Sequence, residues 1–374
     1  MIATAFEVIE RRERAHVRRA GLSDFHLREQ GQFPTNAILE NRHMTLYSLD
    51  FEHKEAMFVE TPADVDLSQA PFFFRTQYEQ AERVWTISFE TMAQLAKLVD
   101  LDGRRLVSIY SVGRCGSTLA SQLFAQVPGV INISEPTVLS QLVVARNMQL
   151  APDADLIALL EASICLLCKT PAETAWVIKG QSFVIELGDW MHQLFPQTRN
   201  LFLYRHGESW LRSGLRAFGR RPASSEEEEW QMDRQRRDIL GPLVPLIAQY
   251  DLNRPLPHAG ALSLMWLRVM ERYMAYCQIG IEMLAIRYER WRSAPHQTAE
   301  AMLDYCQCRP ADMTAVYTAL NRDSQADSYL SRDALGQRQR VLTDAELAEL
   351  NLHLQNHPFI HDADFVVPNT LGDE

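Results

Sequence analysis

From about Leu101 onward, short apolar runs alternate with longer segments whose apolar residues recur every three or four positions. Leu106–Val112, Val130–Ile133, Ala175–Ile178, Asn200–Tyr204 and Glu282–Tyr288 read as strands. A glycine-containing loop follows the first of these, and then a helix from Gly116 to Gln126, with Leu119, Leu123 and Val127 on one face. Further helices are predicted over Thr137–Met148 and Ala154–Cys168. Near-continuous apolar strands separated by helices predict an α/β fold: a P-loop-like parallel sheet with helices on both faces. In such sheets ligands lie beyond the carboxyl ends of the strands. Chemistry is therefore expected just after Val112, Ile133, Ile178 and Tyr204.

The first hundred residues have a different texture. A charged helix is predicted over Phe6–Arg19, followed by strands at Met44–Phe51, Ala56–Glu60, Phe72–Tyr78 and Val84–Phe89. These segments are short, aromatic or β-branched, and bounded by Pro, Asp and Gln, which predicts a mixed or antiparallel β subdomain. The expected organisation is an accessory subdomain over residues 1–100, carrying no chemical motif, and an α/β domain over residues 101–374. Gly219–Glu229 reads as a polar loop, either a solvated segment or a lid.

Composition narrows the classes. A chain of 374 residues accommodates two or three domains at about 150 residues each. Apolar residues at 47% and charged residues at 23% fit a globular protein. With 37 basic and 48 acidic residues the net charge is −11. That disfavours nucleic acid or an anionic membrane as partner and leaves room for a local basic pocket. No apolar run approaches about 18 residues, so no membrane span is expected. Glu7 and Glu10 interrupt the N-terminus before a secretory apolar region forms, so the expected location is cytoplasmic. The cysteines are Cys115, Cys165, Cys168, Cys277, Cys306 and Cys308, expected to be reduced. Cys165 and Cys168 form a lone pair in an apolar stretch, Cys306 and Cys308 are spaced too tightly for zinc, and Pro358 separates His357 from His361. No metal site is predicted.

The chemistry concentrates after two strands. Ser111-Val-Gly-Arg114-Cys-Gly116-Ser117-Thr118 is a tight loop opening a helix. Its backbone N–H groups and the helix dipole make an anion cradle from Arg114, Cys115, Gly116, Ser117 and Thr118. A Walker A loop needs Lys directly before Ser/Thr; here that position is Gly116, and the cation is Arg114. Cys115 lacks the Arg six positions on that phosphatase chemistry requires, since that residue is Ser121, and it reads as a small loop residue. The next junction, Leu203-Tyr-Arg205-His-Gly-Glu-Ser-Trp-Leu-Arg-Ser213, carries Arg205 and Ser213 eight residues apart. Two separate anion seats fit a ligand with an anionic 5′ chain and an isolated 3′-phosphate.

These residues resemble the sulfotransferase family, which uses 3′-phosphoadenosine-5′-phosphosulfate (PAPS) and releases 3′,5′-ADP. Ser111–Leu119 is similar to the family's 5′-phosphosulfate loop in its Arg-x-Gly-Ser-Thr form, the form of carbohydrate, tyrosylprotein and bacterial members. Phe202–Ser213 is similar to its 3′-phosphate motif. Leu284–Trp291 followed by Pro295 resembles its Arg-Tyr-Glu segment, which implies that Tyr288 lies near the adenine. Asp323–Arg332 resembles the late cofactor-closing loop of bacterial members, implying roles for Ser331 and Arg332. The resemblance spans about Leu106 to Arg332.

One departure is informative. The Lys-x-His of cytosolic members appears here as Lys179-Gly-Gln181, and glutamine cannot act as a base. Glu135, after the second strand, resembles the Glu that takes the acceptor proton in tyrosylprotein and some bacterial members. The structural alternative is a helix-start acid beside Pro136. Only four of the 37 basic residues are lysines, so Lys179 at a strand end stands out; its alternative role is a salt-bridged strand end. The resemblance implies catalytic roles for Glu135, Lys179 and Arg114, no metal, and a small-molecule or carbohydrate hydroxyl as acceptor. Trp266–Tyr276 either lines the acceptor pocket or forms core. The competing readings are a P-loop kinase of a small molecule and a catalytically inactive nucleotide-binding relative. Acceptor identity and oligomeric state are left open.

Overall fold

The structure is a computed structural model that describes residues 1–13, 20–219, 223–326, 331 and 340–372. It is an α/β protein with two five-stranded sheets. The antiparallel sheet contains β1 (Ile2–Arg11), β2 (Phe25–Pro34), β3 (Met44–Asp50), β4 (Glu55–Glu60) and β5 (Arg83–Ser88), in the order β2-β1-β5-β4-β3. The parallel sheet contains β6 (Leu106–Ser111), β7 (Val130–Ser134), β8 (Ala175–Lys179), β9 (Arg199–Tyr204) and β10 (Leu284–Arg287), in the order β10-β9-β6-β8-β7. The parallel strands stand where the apolar runs predict them. Every residue of β6 and β8 is buried, so no alternation with polar residues interrupts either run.

Two compact units divide the chain. The first contains 1–107, 128–180 and 190–198; the second contains 108–127, 181–189 and 199–374.

In the first unit, β3, β4 and β5 form the predicted meander, but two local expectations change. Phe6 belongs to strand β1, not to a helix; residues 14–19 of the predicted helix lie outside the described residues. The charges that read as a helix face are cross-strand partners: Arg28 and Gln30 on β2 both donate to Glu7 on β1. Phe72–Tyr78 is not a strand either, because Phe73–Glu79 is helical. Phe73 and Gln77, four apart, form its buried face, and the Gln77 amide donates to Thr45 Oγ1 at 2.8 Å and to the Leu46 carbonyl at 3.0 Å. Side chains tie β7 and the helices after it to residues before 100. Asn132 donates to the Ser68 carbonyl, Ser134 to the Pro71 carbonyl, and Gln141 bonds both Leu49 N and the Ala20 carbonyl.

In the second unit, β9 and β10 pair in parallel from Leu201↔Leu284 to Tyr204↔Arg287. A bridge between Ala285 and Thr370 brings the C-terminal segment alongside β10. The polar run at 219–229 contains a helix start rather than only a loop. The helix Glu226–Leu240 begins inside it, capped by Ser225 Oγ, which accepts from Glu228 N. Its four glutamates occupy the first turn, where the helix dipole favours negative charge. Residues 220–222 lie outside the described residues.

Candidate functional site

The anion loop of the second unit begins where β6 ends. Val112 N donates to the Leu203 carbonyl at 3.0 Å, and the chain then turns through Gly113 (φ 73°), Arg114 (φ 50°) and Gly116 (φ 85°) into the helix Ser117–Phe124. Gly113 meets two constraints: left-handed backbone, and a Cβ that would stand 2.7 Å from Ser182 Oγ. The Trp210 indole donates to the carbonyls of Val112 (2.9 Å) and Gly113 (2.8 Å). The first amides of the helix are donors that no intrahelical carbonyl can satisfy. Ser117 and Thr118 stand at that end, and both are buried. Cys115 is fully buried with its thiol donating to the Leu203 carbonyl, which fits a small loop residue.

The second junction meets the first within the same unit. Arg205 follows β9 and is held from four sides. Its Nε donates to Ser209 Oγ at 2.8 Å and its Nη1 to the Arg114 carbonyl at 3.1 Å. Its guanidinium lies 4.2 Å from the Tyr288 ring centroid, and its carbonyl accepts from Trp266 Nε1. Burial pulls the Arg205 guanidinium below its ordinary pKa; arginine stays charged in proteins. Arg114 donates through Nε to Ser213 Oγ (3.3 Å) and through Nη1 to Gln325 Oε1 (3.0 Å), while Gln325 Nε2 faces Thr118 Oγ1 at 3.4 Å. A Cβ on Gly116 would touch Tyr288 and Trp291 at 3.5 and 3.4 Å. The structure thus brings together Arg114, Thr118, Arg205, Ser213 and Tyr288. Ser331 is buried, and Arg332 lies outside the described residues.

In the first unit, Glu135 follows β7 and Lys179 ends β8. Glu135 N donates to the Lys179 carbonyl at 2.6 Å, and Lys179 Nζ forms an ion pair with Glu135 Oε1. The lysine side chain is 3% exposed and the glutamate 15%. Glu135 has φ 60°, so it and Arg114 are two of six non-glycine residues with positive φ among those described. Such conformations cost energy and cluster at functional sites.

Three contributors escape the sequence reading: Trp210, Ser182 and Gln325. Trp210 sits five residues after Arg205, inside the 3′-phosphate motif, which is the one available hint. Gln325 falls within Asp323–Arg332, the segment that resembles the late cofactor-closing loop, although its own role is not marked there; Ser182 carries no local signal. Trp266, Met270, Tyr273 and Tyr276 are core residues, each at most 1% exposed. His357 Nδ1 accepts from the amides of Phe359 and Ile360, so it closes a turn. Burial raises the Cys165 thiol to about 11 and lifts Cys168 and Cys306 as well, which disfavours thiolate chemistry. Among the described residues, no three His, Cys, Asp or Glu gather as a metal site, and no helix is long and apolar enough to cross a membrane.

Neither a protein-family model nor a curated protein matches this chain. Among solved structures, the sulfotransferase domain of a Synechococcus olefin synthase is similar at 15% identity, TM-score 0.36, covering 68% of this chain and 96% of that one. A Mycobacterium tuberculosis sulfotransferase is similar at 12% identity, TM-score 0.41, covering 69% and 81%. The sulfotransferase domain of the curacin biosynthetic pathway is similar at 13% identity, TM-score 0.36, covering 67% and 96%. At that distance the residues of this chain, not its neighbours, carry the functional argument.

Proposed function

We propose that this chain transfers a sulfuryl group from PAPS to a hydroxyl of a small molecule or carbohydrate. The observation that carries the reading is the convergence of Arg114 and Thr118, after β6, with Arg205 and Ser213, after β9. A nucleotide with an anionic 5′ chain and a separate 3′-phosphate requires two anion seats, and one P-loop supplies one. The groups that meet are guanidinium N–H and hydroxyl O–H, which suits phosphate and sulfate oxygens that only accept.

When bound, PAPS supplies the activated sulfuryl group, and charge in an in-line transfer of this kind spreads over three oxygens. The helix-start amides with Ser117 and Thr118 hold the 5′-phosphate. Arg205 and Ser213 hold the 3′-phosphate, Tyr288 supports the adenine side, and Ser331 and Arg332 are assigned with them by the resemblance. The resemblance assigns Lys179 to offset negative charge on the transferred group. It engages Glu135 through Oε1, and Oε2 is the oxygen assigned to take the acceptor proton. Fixed cations here do the electrostatic work that Mg²⁺ does in kinases.

The test is incubation with isotopically labelled PAPS and a panel of hydroxyl acceptors in EDTA. A labelled product with release of 3′,5′-ADP is expected. Magnesium-dependent consumption of ATP with a phosphorylated product would replace the reading with a P-loop kinase, and nucleotide binding without turnover of either would replace it with an inactive relative.

A further inference from the structure

The first hundred residues carry no chemical motif, yet one of their segments runs to the carboxyl end of β7, directly before Glu135. β7 is an edge strand of the parallel sheet. Asn132 and Ser134, two apart and therefore on one face of the strand, donate to the carbonyls of Ser68 (3.2 Å) and Pro71 (2.8 Å). Residues 68–71 thus follow β7 in the strand's own direction, and Phe72 comes after Pro71 as Glu135 comes after Ser134. Phe72 is extended, and the helix Phe73–Glu79 begins after it with Phe73 on its buried face. The rings of Phe72 and Phe74 meet, with centroids 6.2 Å apart and planes inclined at 54°. Phe72 is 7% exposed and Phe74 is half-buried. The polar groups of this corner are committed. The Pro71 carbonyl holds Ser134, and proline has no N–H. The Phe72 carbonyl accepts the amides of Arg75 (3.1 Å) and Thr76 (3.2 Å), and Arg75 Nε donates to Glu79. What the corner offers beyond them is aromatic surface.

We infer that Phe74, paired with Phe72, is a specificity residue for the acceptor, and that the acceptor is an aryl alcohol rather than a carbohydrate. This rests on the PAPS reading above, with Glu135 as the base, and narrows its acceptor. An aryl ring gains from edge-to-face or offset contact with a phenyl pair. A sugar brought to the same corner gives up water at several hydroxyls and finds few donors or acceptors in exchange, which costs it binding. The proton transfer agrees. A phenolic hydroxyl ionises near about 10, far more readily than a sugar hydroxyl, so a carboxylate takes its proton across a smaller gap. Glu135 Oε2 accepts that proton, the phenolic oxygen forms the new bond to sulfur, and the bond between sulfur and the bridging oxygen of the 5′-phosphate breaks, releasing 3′,5′-ADP.

The experiment is steady-state kinetics of the full chain with PAPS and either 2-naphthol or D-glucose, on wild type, Phe74→Ala and Phe74→Leu, with calorimetry of 3′,5′-ADP on each. Wild type is expected to sulfate 2-naphthol with the higher kcat/KM. Phe74→Ala is expected to lower kcat/KM for 2-naphthol by about tenfold or more, the loss of one buried phenyl contact. The loss should fall on KM and leave 3′,5′-ADP affinity within about twofold of wild type. Phe74→Leu keeps apolar bulk and loses the ring, so a fall of about two- to tenfold is expected. A Phe74 that only packs its helix would lower the melting temperature and leave KM for 2-naphthol unchanged, which contradicts the proposal. Glucose turnover equal to or above that of 2-naphthol, or 3′,5′-ADP binding with no sulfation of 2-naphthol, overturns the acceptor assignment while the nucleotide reading stands. If wild type does not bind 3′,5′-ADP, the PAPS reading falls and this inference with it. Should Phe74→Ala fail to fold by thermal melting, Phe74→Leu carries the test, and an unchanged KM for 2-naphthol in that variant contradicts the proposal.

Discussion

Glu135 and Lys179 place a charged pair where burial raises the stakes. Lys179 is almost fully buried beside a carboxylate that is itself mostly buried. Removing one member of such a pair costs about 3–5 kcal/mol, because the other charge is left uncompensated. Glu135→Ala is therefore expected to lower stability by about that amount in denaturant unfolding. Glu135→Gln keeps an acceptor for the ammonium and loses less, so it isolates the chemistry. The expected result is unchanged 3′,5′-ADP affinity with turnover down at least about a hundredfold, as general-base loss implies. A purely structural pair would instead shift the melting temperature and leave turnover near wild type. Gly113 gives a second residue-scale expectation. Gly113→Ala forces a Cβ into left-handed backbone and to 2.7 Å from Ser182 Oγ. A loss of about 1–3 kcal/mol is expected. Adding Ser182→Ala should restore the part due to the clash and leave the part due to φ, both read as shifts in the denaturant midpoint.

At the scale of elements, the helix Asp344–Gln355 carries a pH-sensitive contact. Thr343 and Glu346 form a capping box at its start, and Leu350, His353 and Leu354 form its buried face. It packs on the helix His258–Gln278, with Tyr250 edge-on to His353 at 5.4 Å. Burial, aided by the nearby Arg254 charge, pulls His353 down to about 4, while Glu349 lies 3.9 Å away and also pairs with Arg254. A histidine depressed in the folded state is neutral there at pH values where the unfolded chain already binds the proton. Its contribution is complete above about pH 6.5 and is lost as pH falls toward 4. His353→Gln should flatten that limb of a melting-temperature-against-pH curve; an unchanged limb would locate the acid sensitivity elsewhere. The elements also show what the sequence can reveal. The parallel strands are legible because both their faces are buried, so an apolar run is their whole signature. β1 is not, because Glu7 owes its place to Arg28 and Gln30 on another strand. Arg114, Arg205 and Ser213 are legible through spacing, whereas Gln325 stands in a segment marked only by resemblance and meets Thr118 when the chain returns after some two hundred residues.

For the whole molecule, the change of texture near residue 100 is not a break between compact units. The first unit continues through 128–180, and its internal bonds cross that point repeatedly: Gln141 reaches Leu49 and Ala20, and Lys169 donates to the carbonyls of Ile38 and Asn41. A fragment of residues 101–374 is expected to lack cooperative thermal unfolding, since β7, β8 and the following helices lose the partners those bonds describe. A sharp melting transition in that fragment would contradict this. The central proposal is that Arg205 and Ser213, after β9, seat a 3′-phosphate. Calorimetry of wild type and Arg205→Ala with 3′,5′-ADP and 5′-AMP, in EDTA, tests it most directly. The account predicts that wild type binds 3′,5′-ADP at least about tenfold more tightly, the gain from a charge-assisted bond, and that Arg205→Ala removes most of the difference. Equal affinity of wild type for the two nucleotides, or a preference that survives the loss of Arg205, would contradict it.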